Sequence, residues 1–118
     1  MICMLNTYDK VGMFTEFAEK AAEKCGLQAE ELCVYAQASQ MGRNCHIEFV
    51  IAAEEETADE LEQMLGITLL DNKAFFSRPY GRLTGEVYDR YTDQKRYMPL
   101  MKEFFDENRI MNPGKLVY

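Results

Sequence analysis

Over the first two thirds of the chain the hydrophobic residues keep changing period, and the order of those changes admits few folds. Met1 to Leu5 is a short apolar run that suits a buried strand. From Tyr8 the period becomes helical: Phe14, Phe17, Ala18, Ala21, Ala22 and Cys25 share one side, Glu16, Glu19, Lys20, Glu23 and Lys24 the other, and Gly26 is the expected stop. Glu31 to Ala38 then alternates, with Leu32, Val34 and Ala36 on one face and Cys33, Tyr35 and Gln37 on the other. Met41-Gly42-Arg43 supplies a turn, and Asn44 to Ile51 alternates again. Cys45, Ile47, Phe49 and Ile51 form its apolar face; Asn44, His46, Glu48 and Val50 form the other, which carries the only histidine.

Beyond Glu54-Glu55-Glu56, Thr57-Ala58-Asp59-Glu60 has the form of a capping box, and Leu61, Met64, Leu65 and Leu69 extend a helix to about Asp71 despite Gly66. Strand, helix, strand, strand, helix is the order of a split βαβ unit of the ferredoxin-like kind. Ala74 to Arg78 stands where a closing fourth strand belongs. The expected fold class is therefore α+β, a ferredoxin-like βαββα(β) antiparallel sheet with helices on one face, plus a C-terminal helical extension. Residues 1–79 form the ferredoxin-like unit and residues 80–118 the extension, together one structural domain. In the extension, Leu83, Val87 and Tyr91 fall in line as a short helix. Pro99 suits the first position of a last helix whose apolar stripe, Leu100, Met101, Phe104 and Phe105, is expected to be core before Asp106-Glu107-Asn108 ends it.

The uncovered face of such a sheet is where Asn44, His46 and Glu48 are expected, open to water or to a ligand. Composition narrows what that ligand is. A chain of 118 residues with 47% hydrophobic content is an ordered domain, and a net charge of -7 argues against nucleic acid, whose phosphates need clustered Lys and Arg. No apolar run reaches membrane-spanning length, no basic amphipathic helix suits a membrane surface, and the opening residues lack a signal-peptide pattern, so a cytoplasmic protein is expected. Cys3, Cys25, Cys33 and Cys45 lack the Cys-x-x-Cys spacing of a zinc or redox site; they read as small buried thiols of a reducing compartment.

The ending is the most specific stretch. Phe104-Phe105-Asp106-Glu107-Asn108-Arg109-Ile110-Met111-Asn112-Pro113-Gly114-Lys115 resembles the C-terminus of FAD-linked oxidases of the vanillyl-alcohol oxidase superfamily, which commonly end in a Phe-Asp-Pro-Asn-Gly-Ile-Met-Asn-Pro-Gly-Lys type of sequence. Val34 to Gln37, Gly42 to Phe49 and Ala74 to Gly81 are similar, in order and spacing, to the substrate or cap domain of the same enzymes, so the resemblance covers roughly residues 30 to 118. It implies a C-terminal fragment or subunit whose ferredoxin-like cap closes over a flavin held by a separate FAD-binding domain. FAD would be the cofactor of the complete enzyme, not of this chain alone, and the substrate an alcohol or a hydroxy acid that passes a hydride to the flavin.

By that resemblance His46 is the catalytic candidate, Glu48, Arg78, Tyr80 and Arg82 are substrate-binding candidates, and Asn112 and Lys115 are cofactor-binding candidates where the chain returns to the FAD domain of the complete enzyme. The D-lactate and glycolate branch holds a divalent metal with two histidines and a glutamate. Here His46 and Glu86 match two of those ligands, but Ser39 stands near the position of the first histidine and Val87 replaces a further one, so no metal is expected. In the aryl-alcohol branch a tyrosine and an arginine grip a phenolate, which Arg78, Tyr80 and Arg82 suit chemically. The alternative, from a different class, is a non-catalytic ferredoxin-like module that binds a small ligand or forms a homodimer through its open sheet face.

Overall fold

Leu27 donates its backbone N–H to Ala22 O and Gly26 donates to Glu23 O, with Gly26 at φ 74, and this paired closure ends the first helix where the apolar period stops. The computed structural model describes residues 1–79 and 81–111, for Thr92 and Gln94 the backbone only. They fall into two compact units, Met1–Arg78 and Pro79–Tyr118.

In the first unit β1 (Ile2–Thr7) leads through a 3-10 turn into α1 (Val11–Lys24). β2 (Leu32–Ser39) and β3 (Asn44–Ile51) follow, then α2 (Glu55–Asp71) and β4 (Phe75–Phe76). The strands form one antiparallel sheet in the order β2-β3-β1-β4, the ferredoxin-like order. Register decides the faces. Ile2 pairs with Phe49, Met4 with Ile47 and with Phe76, and this row is buried with Phe14, Ala18, Ala21 and Ala22 of α1 and Leu61, Leu65 and Leu69 of α2. Each fully buried aliphatic side chain of that layer contributes about 1.5–3 kcal/mol by leaving water. The layer ends short of the outer strand: on β2, Leu32 and Val34 are half-buried and Ala36 and Ala38 are exposed.

α2 departs from the expected start. Thr57 and Glu60 lie inside the helix, which begins at Glu55 with Glu54 as an extended N-cap residue, so the capping box expected at Thr57 does not form. Glu55 and Glu56 sit in the first turn, where negative charge complements the helix dipole, and that extends the helix toward the N-terminus. The capping box that does form joins Gln28 and Glu31 ahead of β2; Gln28 N–H donates to Glu31 Oε2 at 2.7 Å. At its C-terminus α2 closes as α1 does, Ala74 N–H to Leu69 O and Lys73 N–H to Leu70 O, but with Lys73 rather than glycine in the left-handed region, at φ 63. Lys10 Nζ donates to Asn72 O at 3.0 Å and ties the start of α1 to that end.

In the second unit, Thr84 Oγ1 donates to Pro79 O and to Gly81 O and sets the entry to α3 (Leu83–Arg90), which buries Leu83, Val87 and Tyr88. α4 (Thr92–Phe105) corrects two expectations. It begins seven residues ahead of Pro99, which lies inside it; no N–H at Pro99 can reach the Lys95 carbonyl one turn back. Its stripe is not core: Leu100 and Met101 are exposed, Phe104 is 81% and Phe105 69% exposed, and the two rings meet edge to face at 4.9 Å. What is buried there is Asp106. Its two carboxylate oxygens accept the backbone N–H of Ile110 and of Met111, each at 2.9 Å, and it pairs with Lys102, which also donates to Met111 O.

Candidate functional site

β3 carries His46 and Glu48 two residues apart, hence on one face of the pleat, the face turned away from α1 and α2. Their side chains meet: His46 Nε2 lies 2.8 Å from Glu48 Oε1, and both are about three quarters buried. Register supplies their neighbours. Glu48 stands between Tyr35 on β2 and Cys3 on β1, and His46 between Gln37 and Leu5. Ser77 N–H donates to Cys3 O at 3.1 Å, which fastens the segment after β4 to β1 and leaves Arg78 Nη1 4.0 Å from the same Glu48 oxygen. Cys3 Sγ donates to that oxygen at 3.7 Å. One carboxylate oxygen thus gathers an imidazole, a guanidinium and a thiol.

The electrostatics follow from that convergence. The hydrogen bond from His46 holds the Glu48 carboxyl below its ordinary value; partial burial opposes this, while the His46 charge, the Cys3 thiol and Arg78 reinforce it. Burial, and after it the Glu48 charge, pushes the Cys3 thiol up, so it stays a protonated donor at neutral pH. Glu48 is therefore an anion that orients its neighbours. A carboxylate only accepts, so Nε2 is the donor of this bond; in a neutral ring Nδ1 is then the acceptor. Arg78, half-exposed, has donors to spare for a second anion.

The sheet thus brings three of the expected site residues together. Arg82 is the N-cap residue of α3 in the second unit, with helical backbone angles. Tyr80, Asn112 and Lys115 lie outside the described residues. Glu86 is exposed on α3, and among the described residues no three His, Cys, Asp or Glu side chains converge as a metal site requires. Cys3 is the site residue that sequence reasoning missed. It reads as a small buried thiol, and only the β1–β3 register shows that it faces Glu48 rather than the helices. Of the four cysteines, all free, Cys33 is exposed on β2 and Cys25 half-exposed, so the expectation of four buried thiols holds for Cys3 and Cys45 alone.

The imidazole, guanidinium and thiol gathered there are groups that donate to hydroxyl or anionic oxygens. Elsewhere on the first unit lie a groove of about 360 Å³ lined by Ala22, Leu27, Leu32 and Val34 and another of about 450 Å³ lined by Asp9, Lys10 and Lys73. Comparison of the chain with protein-family models, curated proteins and solved structures returned no match.

Proposed function

We propose that this chain is the C-terminal cap, as a fragment or a subunit, of a cytoplasmic FAD-dependent oxidoreductase that oxidises an alcohol or a hydroxy acid by hydride transfer to flavin. The observation that carries the reading is the His46–Glu48–Arg78 cluster on the face of a ferredoxin-like sheet turned away from α1 and α2. It supports a division of labour. His46 Nδ1 takes the proton of the substrate hydroxyl, Glu48 stabilises the imidazolium that results, and Arg78 pairs with a carboxylate or phenolate on the same substrate. Flavin held by a partner domain would supply the hydride acceptor.

The exposed α4 stripe supports the same reading from the other end. Leu100, Met101, Phe104 and Phe105 leave water only against another surface, and a patch of that kind marks an interaction site. In the proposed enzyme that surface is the FAD domain. No helix among the described residues is long and apolar enough to cross a membrane.

Mixing the purified chain with FAD and a flavoprotein that lacks its own cap tests the proposal. The expected result is a stable complex that oxidises an aryl alcohol or a 2-hydroxy acid. Neither binding nor dehydrogenation with any such partner would sink it.

A further inference from the structure

We infer that β2 is the seam of a two-fold dimer, in which two copies of this chain pair β2 against β2 and continue their sheets into one. The strand stands at the edge of the sheet order and runs for eight residues, Leu-Cys-Val-Tyr-Ala-Gln-Ala-Ser. It contains no charge, no proline and no glycine. Natural edge strands carry such features, or bulges, to refuse further pairing, and this one lacks those residues along its whole length. It is also poorly covered on both faces: Ala36 and Ala38 are exposed on the helix side, Cys33, Tyr35 and Gln37 on the other.

The direction of the free hydrogen-bonding groups follows from the ladder. Ala52 N–H donates to Glu31 O at 2.8 Å, so residue 31 and every second residue after it turn toward β3. Leu32, Val34, Ala36 and Ala38 therefore turn their N–H and C=O groups outward.

A second copy fits this edge because the strand complements itself. An antiparallel pairing centred on Tyr35 sets Val34 against Ala36 and Leu32 against Ala38, a large aliphatic group against a small one each time, and their outward N–H and C=O groups meet. Tyr35 meets its own symmetry mate in the closer, non-hydrogen-bonded position. The ends match in charge. Glu30 and Glu31 precede the strand and Arg43 follows it, so the antiparallel arrangement brings the Arg43 turn of each copy to the acidic turn of the other. A chain of net charge -7 thus meets its copy along an uncharged line with opposite charges at the ends. The dimer does not rest on the flavoenzyme reading, and its seam does not use the His46–Glu48 pair.

Light scattering and sedimentation of the full chain test the inference. The wild type is expected to be a dimer. Ala36→Pro, which removes an outward N–H that β3 does not use, and Ala36→Lys, which places a charge on the seam, are each expected to give monomers with unchanged circular dichroism; should the proline variant fail to fold, the lysine variant decides. Gln37→Cys is expected to form a disulfide with Cys33 of the second copy under a mild oxidant, because that pairing sets positions 33 and 37 opposite one another. A monomeric wild type would overturn the inference. So would a dimer that survives both Ala36 variants, or one that Phe104→Glu dissolves while they do not, since the contact would then belong to α4.

Discussion

His46 Nε2 and Glu48 Oε1 sit 2.8 Å apart because one strand presents residues two apart on the same side of its pleat. Glu48 is titratable and its carboxyl is held below the ordinary range, first by His46, so folding gains from its ionised form. That contribution is whole once the pH is well above the ordinary glutamate value of 4.5, and is lost as the pH falls through the lowered folded value. Glu48→Gln should therefore flatten the acid limb of the stability curve. Urea melts of wild type and variant across pH 3 to 7 measure it; identical acid limbs would show that the pair carries none of the acid sensitivity.

Asp106 obeys the same sign in the other unit. Lys102 is the main cause of its lowered carboxyl, with the Ile110 and Met111 N–H groups in support. Asp106→Ala should free the segment from Arg109 to Met111, seen as faster amide exchange at Ile110 and Met111 with exchange in the first unit unchanged. Protection equal to wild type would contradict the assigned role.

The core sets the largest stability effects. Phe49 is fully buried where β3 faces the helices, paired with Ile2 on one side and Val34 on the other. Phe49→Ala should cost about 3–5 kcal/mol in denaturant melts, the usual range for truncating a buried aromatic. A loss under about 1 kcal/mol would mean that the site is not packed as described.

Lys73 holds a left-handed conformation that glycine adopts without strain. Lys73→Gly is expected to stabilise the first unit by about 1 kcal/mol, read as a higher urea midpoint with an unchanged slope. A lower midpoint would show that the lysine side chain contributes more than its backbone costs.

Much of this architecture was legible because its signals are local. Cys45, Ile47, Phe49 and Ile51 announce β3 and its buried face by alternation alone, and Gly26 marks a helix end whose hydrogen bonds are those expected. His46 and Glu48 were legible as neighbours for the same reason. Cys3 was not, because its partner lies 45 residues away and only strand register joins them. Thr57 misled because a capping motif is short and Glu54 to Glu56 outcompete it at the same helix end. Pro99 misled because the rule that places proline at a helix start gives way when the seven residues before it are helical. The α4 stripe has the spacing of a core helix, and nothing in a periodicity says whether the surface it wants belongs to the same chain.

That stripe yields a separable test. Phe104→Ser and Phe105→Ser remove side chains that are mostly in water, so each should change the stability of the isolated chain by less than about 0.5 kcal/mol. Each should weaken binding to a flavin domain by about 2 kcal/mol or more if the stripe is the docking surface. Titration calorimetry of the two variants decides; binding equal to wild type would remove the stripe from the interface.

The most direct measurement is the rate of flavin reduction when the chain, assembled with an FAD domain, is mixed with an alcohol or 2-hydroxy acid under anaerobic conditions. With His46 as the base, His46→Ala is expected to slow reduction by about 10²–10⁴-fold and Glu48→Gln by a smaller factor, with assembly unchanged. Flavin reduced at the wild-type rate by the His46→Ala complex would contradict the account.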